Sequence, residues 1–451
     1  MTGKAQILAI GDVHLGTACS GIPDEISSWG TDSARLTPAA ALQAAVDFAI
    51  ARQVDAILFA GDVVESTNAR FEAMSSLKKN VRRLLDAGIK VIGVAGNHDV
   101  EALPRLAKLI DGFKLLGEGG CWEPIMLSRN GTPVAQIVGW SFGEKKVVHS
   151  PVAQLISAPP PSPPQAVPRI GLLHCDLGGG ISSEYAPIKQ SELDDTGFDA
   201  WLLGHIHKPS LEKLARSGGG FRPSGYLGSL VGLDPSETGP HGPWLLSTYG
   251  KEGGINLEHI PLAPLRWERL DVPIDGIGLE DVRDQLPAKA QELVRALAQD
   301  GLSPPQALGL RVRLVGSSGA YDDIRKWINA GKWKSDAVTR IDDTVVFFNR
   351  IDDAMDLHWD LEKIAKGNDP AALLARRLLL LQHDNEQSRE FLDQARQRLG
   401  PIAKHNDWKP TQEHRSAIDP VSNDALRDVL MRSGKAALAE MLASRDAKAA
   451  S

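Results

Sequence analysis

Six short apolar runs punctuate the first half of the chain, and five of them end in a polar tip: QILAIGDVH, DAILFAGDVV, KVIGVAGNHD, VAQIVGWSF, RIGLLHCD and DAWLLGHIH. Runs this short and this apolar read as strands of a sheet buried on both faces. Helix-like stretches, TPAAALQAAVDFAIARQ and RFEAMSSLKKNVRRLLDAG, separate the first three. Strand alternating with helix predicts an α/β fold. Such sheets place their ligands just beyond the C-terminal ends of the strands. That is where Asp12, His14, Asp62, Asn97, His98, Asp99, His174, His205 and His207 fall.

Each tip alone has an ordinary explanation. Gly-Asp after a strand makes an Asx turn, Asn97 can take a left-handed turn conformation, and a single histidine is usually just hydrogen-bonded. Five tips in one sheet, all with oxygen or imidazole ligands, point instead to divalent ions that need no thiolate. Two neighbouring ions require a shared ligand, and Asp62 is the natural one because it stands alone on its strand. His205 and His207, two residues apart, leave the same face of an extended chain.

The ordered set D-x-H, GD, GNHD, H and GHxH resembles the signature of the calcineurin-like metallophosphoesterases. Within that superfamily, GDVHLG, GNHD, LLHCD, GHIHKP and YLGSLVGLDPSETGPHG look most like the SbcD-type DNA repair exonucleases and their YhaO-like bacterial relatives, over residues 6–260. The resemblance implies a β-sandwich flanked by helices, a small α+β cap domain and C-terminal helices. It implies one ion on Asp12, His14, Asp62 and His207, and a second on Asp62, Asn97, His174 and His205. The mixed oxygen and nitrogen ligands favour two Mn²⁺ ions, with iron and zinc left open. By the same resemblance, His98 would protonate or stabilise the leaving sugar oxygen. Asp99 either orients His98 or a ligand histidine, or caps the following helix. One position departs from the pattern: the double-strand-break nucleases commonly read GD-x-x-H, whereas this chain reads GDVVE and puts Glu65 there. An unpaired carboxylate would repel phosphate.

The rest of the chain divides into an expected phosphoesterase domain at 1–265, a cap at 266–352 and a helical region at 353–451. In the cap, DIRKWINAGKWKSD interleaves Arg325, Lys326, Lys332 and Lys334 with Trp327 and Trp333. Cations can contact phosphates and aromatics can stack on bases; alternatively, one tryptophan packs the core and the lysines are solvated. The proline-rich SAPPPSPPQAVP, 157–168, reads as a surface loop and ARSGGGF, 215–221, as a hairpin turn. The C-terminal PAALLARRLLLLQHDNEQSREFLDQARQRL carries more apolar surface than one amphipathic stripe needs. By resemblance, it would dock on an SMC-like ATPase of the SbcC or YhaN type; packing on its own cap is the alternative. Homodimerisation is likewise implied by the family alone.

A net charge of −7 argues against a stand-alone DNA binder, though not against a DNA enzyme. Three cysteines in no ligand spacing suit a reducing cytoplasm. Cys175 reads as a small buried filler rather than a soft ligand. No run approaches the ~20 apolar residues of a membrane span, and the start shows no signal-peptide pattern, so a cytoplasmic location is expected. Two alternatives stand beside a DNA-directed phosphodiesterase. One is an enzyme of the same fold acting on a small nucleotide or lipid phosphoester. The other is a non-catalytic regulatory subunit of an ATPase.

Overall fold

In the computed structural model of the chain, the described residues are 5–65, 71–163, 167–180, 183–215, 221–249, 254–299, 304–356, 361–383, 385–403 and 421–449. The strands run β1 (Gln6–Ile10), β2 (Ala56–Phe59), β3 (Lys90–Gly93), β4 (Phe113–Leu115), β5 (Trp122–Arg129), β6 (Thr132–Trp140), β7 (Arg169–His174), β8 (Asp176–Leu177), β9 (Pro187–Ile188), β10 (Ala200–Gly204), β11 (Glu212–Ala215), β12 (Phe221–Tyr226), β13 (Trp244–Thr248) and β14 (Ile255–His259). Four more strands follow: β15 (Leu265–Pro273), β16 (Ala307–Ser317), β17 (Val338–Ile341) and β18 (Thr344–Asp356).

Two six-stranded sheets result, ordered β14-β13-β1-β2-β3-β4 and β11-β12-β10-β7-β6-β5. Strands β1 to β4 are parallel, as are β6, β7, β10 and β12. Side chains alternate across each strand, and that alternation builds the sandwich. Ile7, Ala9, Leu58 and Ile92 from the first sheet meet Ile137, Ile170, Leu172 and Leu202 from the second. The opposite face of the first sheet, with Leu8, Ile10, Ile57, Phe59 and Val91, is covered by three helices: α1 (Pro38–Arg52), α2 (Phe71–Asp86) and α3 (Ala102–Leu109). Helix α1 starts where expected, with Thr37 Oγ1 accepting from Ala40 N and Pro38 in the first turn. The outer face of the second sheet packs Trp140, Trp201, Phe198 and Cys175 into a separate core.

A four-stranded sheet, β15-β16-β18-β17, follows. The chain resolves into two compact units. The first comprises Met1–Asp271, Leu286–Arg313 and Gly331–Asp352, and the second Val272–Gln285, Leu314–Ala330 and Asp353–Ser451. The stretch read from sequence as one cap is therefore shared between both. Leu265, Trp267, Ala307, Val345 and Phe347 join the helix-side core of the first unit. In the second unit, helices Pro370–Leu381, Glu386–Ala403 and Asn423–Ala449 surround a core of Leu378, Leu381, Leu392, Leu426, Leu438 and Leu442. Asp369 caps the first of them by accepting from Ala372 N at 2.8 Å. Residues 216–220 of the expected hairpin turn and 164–166 of the proline-rich stretch lie outside the described residues; β11 and β12, either side of the turn, pair antiparallel. No described helix is long and apolar enough to cross a membrane.

Candidate metal centre

The polar tips of β1, β2, β3, β7 and β10 converge. Beyond β1 and β2 the parallel pairing continues through the ligand loops: Val13 and His14 N–H both donate to Asp62 O, and Leu15 N–H donates to Val63 O. To turn their side chains inward, three of the candidate ligands adopt left-handed backbone: His14 (φ 52°), Asp62 (φ 48°) and His205 (φ 110°). Such conformations cost on the order of 1–3 kcal/mol each and persist only where the surroundings impose them.

Asp12, His14 and His207 form one group, Asp12, Asp62 and His174 a second, and His14, Glu65 and His98 a third, each with its candidate ligand atoms within 4.8 Å of one another. In the first, His14 Nε2 and His207 Nε2 lie 3.1 Å apart. In the second, His174 Nδ1–H donates to Ala60 O at 3.1 Å. That leaves its Nε2 facing Asn97 Oδ1 at 3.0 Å and Asp62 Oδ2 at 3.3 Å. Asp62 Oδ2 is also 3.9 Å from His14 Nε2, so one oxygen reaches both groups. Lone pairs converging in this way are satisfied by a proton or by a metal ion, and the buried oxygen and imidazole donors fit hard or borderline divalent cations. The His205 ring sits 5.3 Å from that of His174, and its backbone N–H donates to Asp12 Oδ1 at 3.0 Å.

The electrostatics follow from two buried carboxylates sharing this space. Burial raises Asp12. Burial would raise Asp62 too, but the charge of His174 and its hydrogen bond, with His14 and His98, hold it well below the usual carboxylate range. Burial alone would lower His174, yet Asp62 and then Asp12 push it up to about 9. Burial, then the charge of His174, presses His205 down to about 4. A divalent cation would supply the positive charge that His174 carries in the metal-free site.

His98 is the exposed member, with its side chain 45% accessible. Its backbone N–H donates to Asp62 Oδ1 at 2.9 Å, and Nδ1–H donates to Glu65 Oε2 at 2.8 Å. Glu65 is thus paired rather than facing substrate as a bare charge. Asp99 takes a role that differs from both expectations. It bonds neither His98 nor a ligand ring, and helix α3 has Glu101 at its N-cap with no side-chain cap. Its carboxylate instead accepts from Val63 N and Gly96 N, both at 2.7 Å, and from Val64 N at 3.4 Å. It bolts the loop of Asp62 to the loop of Asn97. Cys175 is fully buried, and burial followed by Asp176 raises its thiol well above normal, as suits a filler.

Two further residues join the site without a signal at a strand tip. Glu237 Oε1 accepts from His207 Nδ1–H at 2.7 Å, a carboxylate that fixes the tautomer of a candidate ligand histidine. It lies in the quoted SETGPHG stretch, which is its one sequence trace. Tyr185, 38% exposed, sits 5.1 Å from the His205 ring. It is pinned by a bridge between Val147 and Tyr185 that no local pattern foretells.

The six expected substrate contacts do not share one compact unit. Arg325, Lys326 and Trp327 belong to the second, on helix Tyr321–Asn329, and Lys332, Trp333 and Lys334 to the first. Trp327 is 8% exposed and packs as core, so it offers no stacking face. Arg325 lies 3.9 Å from Asp353, and Lys334 stands over the Trp333 ring.

Residues 5–209 match the calcineurin-like phosphoesterase family. The chain is similar to the uncharacterized metallophosphoesterase YhaO of Bacillus subtilis, 27% identical over 247 residues, covering 51% of this chain and 53% of that protein. It is also similar to the DNA double-strand break repair protein Mre11 of Methanopyrus kandleri, 22% identical over 272 residues, covering 56% of this chain and 58% of that one. The match thus spans a little over half the length of these curated relatives. Among solved structures, a dimetal phosphatase from Danio rerio is similar at 14% identity and a TM-score of 0.35, covering 56% of this chain and 98% of that one.

Proposed function

We propose that this chain, a calcineurin-like metallophosphoesterase over residues 5–209, cleaves the phosphodiester bonds of DNA. One observation carries the reading: five oxygen and imidazole donors, Asp12, His14, Asp62, His174 and His207, gather in two overlapping groups, with Asn97 against His174 and the exposed His98 tied to their edge. Asp12, His14, Asp62 and His207 would hold one divalent ion, and Asp62, Asn97, His174 and His205 the other; Mn²⁺ suits this mixed donor set. When bound, the ions supply Lewis acidity and an activated water.

The chain's own residues do the rest. Asp62 spans both groups and accepts the His98 amide, which fixes His98 at the rim. With its Nδ1 proton held on Glu65, His98 presents Nε2 to the leaving oxygen of the substrate. Tyr185 offers an exposed ring beside His205 for the group flanking the scissile phosphate. The similarity to an Mre11 protein supports a DNA substrate. A small phosphoester is the second reading, favoured by the net charge of −7. As part of the proposal, an SMC-like ATPase docks on the C-terminal helices, where Leu373, Val429 and Met441 are exposed.

The test compares wild type and His98→Ala in Mn²⁺ on labelled single- and double-stranded DNA, bis-p-nitrophenyl phosphate and a nucleoside monophosphate. The expected result is metal-dependent DNA cleavage, with His98→Ala lower by roughly 10²–10⁴-fold. Turnover of the monophosphate alone would favour the second reading, and turnover of nothing would end both.

A further inference from the structure

The carboxylate that aims His207 is itself held by a buried histidine outside the candidate ligand set. The segment from Ser229 to His241 starts on two ligand loops: Ser229 N–H donates to His207 O at 2.8 Å, and Leu230 N–H donates to Asp12 O at 2.9 Å. It turns at Asp234, whose side chain accepts from Ser236 N at 2.8 Å and whose carbonyl accepts from Glu237 N at 2.9 Å. That Asx turn sends the Glu237 side chain back toward the centre. One carboxylate oxygen takes the His207 Nδ1 proton. The other accepts from Leu233 N at 3.0 Å and lies 3.3 Å from Ser229 Oγ. Strand β15 grips the same segment: Trp267 Nε1–H donates to Gly232 O at 3.1 Å, and Gly239 N–H donates to Trp267 O at 2.8 Å.

His241 closes this segment on itself. It is 2% exposed and Ser229 1%, so their polar atoms must find partners inside the protein. His241 Nδ1 lies 3.0 Å from Ser229 Oγ and 3.1 Å from Ser229 O, and Nε2 lies 3.2 Å from Glu237 O. Both tautomers tie the same two residues. With the proton on Nε2, the ring donates to Glu237 O and accepts the Ser229 hydroxyl. With the proton on Nδ1, it donates to Ser229, whose hydroxyl then turns to the Glu237 carboxylate. We infer that His241 is a positioning residue: through Ser229 and Glu237 it fixes the Nδ1 proton of His207 and keeps the Nε2 lone pair on the metal side. The inference rests on the metal centre proposed above, not on its substrate. Its effect falls on one ion, because His207 belongs with Asp12, His14 and Asp62, whereas His174 takes its orientation from Ala60 O.

Full-length wild type is compared with His241→Gln, His241→Phe and Ser229→Ala. The Gln variant keeps one donor and one acceptor, and the Phe variant keeps a ring and neither. Titration with Mn²⁺ alone, followed by electron paramagnetic resonance, reads the two binding steps without turnover. His241→Phe is expected to weaken one step by about 10-fold or more and to leave the other near its wild-type value. His241→Gln should recover most of that loss. Imidazole ¹⁵N spectra of the metal-free protein should show His207 with its proton on Nδ1 in wild type and His241→Gln, and mixed tautomers in His241→Phe.

An unchanged His207 spectrum with both Mn²⁺ steps intact in His241→Phe would overturn the inference. So would equal losses in the Phe and Gln variants, which would mark ring packing alone. A wild type that binds no Mn²⁺ sinks the metal-centre reading, and the His207 spectra of the metal-free variants then decide the role of His241 by themselves. Should His241→Phe not fold, Ser229→Ala carries the same comparison, because it removes one hydroxyl from the chain and leaves the ring in place. A loss at one step then supports the inference, and two unchanged steps end it.

Discussion

A single buried carboxylate can matter through the backbone it holds rather than the ring beside it. Asp99 is fully buried, and burial, then the charge of Asp62, pushes its carboxyl up to about 7 against the pull of the Val63 and Gly96 amides. Removing it strands buried N–H groups on two ligand loops at once. Asp99→Ala is therefore expected to cost on the order of 2–5 kcal/mol in denaturant unfolding and to weaken Mn²⁺ binding, although it touches no ligand ring. An unchanged unfolding midpoint would contradict the bolt. The ligand types themselves are legible in the sequence, because a polar residue after an apolar strand has few structural reasons to recur five times. The partners of those ligands are less legible. Glu237 and Tyr185 reach the site only through long-range pairing, and the carboxylate of Asp99 reaches across to another loop. Sequence spacing carries no record of such contacts.

The strands and the first two helices are legible for a different reason: period and length separate them. The runs around β1, β2, β3, β7 and β10 are too short and too evenly apolar to be surface helices. What the pattern does not carry is how closely the two sheets approach at their tips. A Cβ on Gly204 would stand 2.2 Å from Ala60 O and 2.8 Å from His174 Nδ1. The end of β10 therefore abuts the hydrogen bond that aims His174. Gly204→Ala is expected to destabilise the protein by about 1–3 kcal/mol and to reduce metal affinity with it. Gly171 provides the contrast within the second sheet, since a Cβ there meets the buried Trp201 ring at 2.2 Å. Gly171→Ala should lower the melting temperature while leaving Mn²⁺ affinity close to wild type, and equal affinity losses in both variants would refute the distinction.

Over the whole molecule, protons and the proposed metal ions would compete for the same centre. Without metal, His174 is raised from 6.5 to about 9, so the folded state binds more protons than the unfolded chain between those values. Its stabilisation is complete below about 6.5 and is lost as pH rises toward 9. Asp99, raised from 3.8 to about 7, acts in the same direction over its lower window. Chelator-treated protein should therefore melt at progressively lower temperature from pH 6.5 to 9, and saturating Mn²⁺ should flatten that slope. A slope unaffected by Mn²⁺ would separate the titration from the metal centre. At this scale, too, the sequence is only partly legible. Its composition marks where the histidine-tipped pattern ends, but the compact units interleave along the chain, with Leu286–Arg313 and Gly331–Asp352 returning to the first. Burial of Trp267, Ala307 and Phe347 in that unit's core causes the return, and this depends on packing rather than on any local motif.

The hydrogen bonds that run past the ends of β1 and β2 have a further consequence for how the centre is filled. Because the amides of His14, Leu15 and Glu65 stay in the ladder, the loops that carry His14 and Asp62 are expected to exchange these protons with solvent only when the sheet itself opens. An ion lost from the proposed centre would then leave this backbone in place, and reloading with Mn²⁺ after chelation is expected to proceed without passage through the unfolded chain.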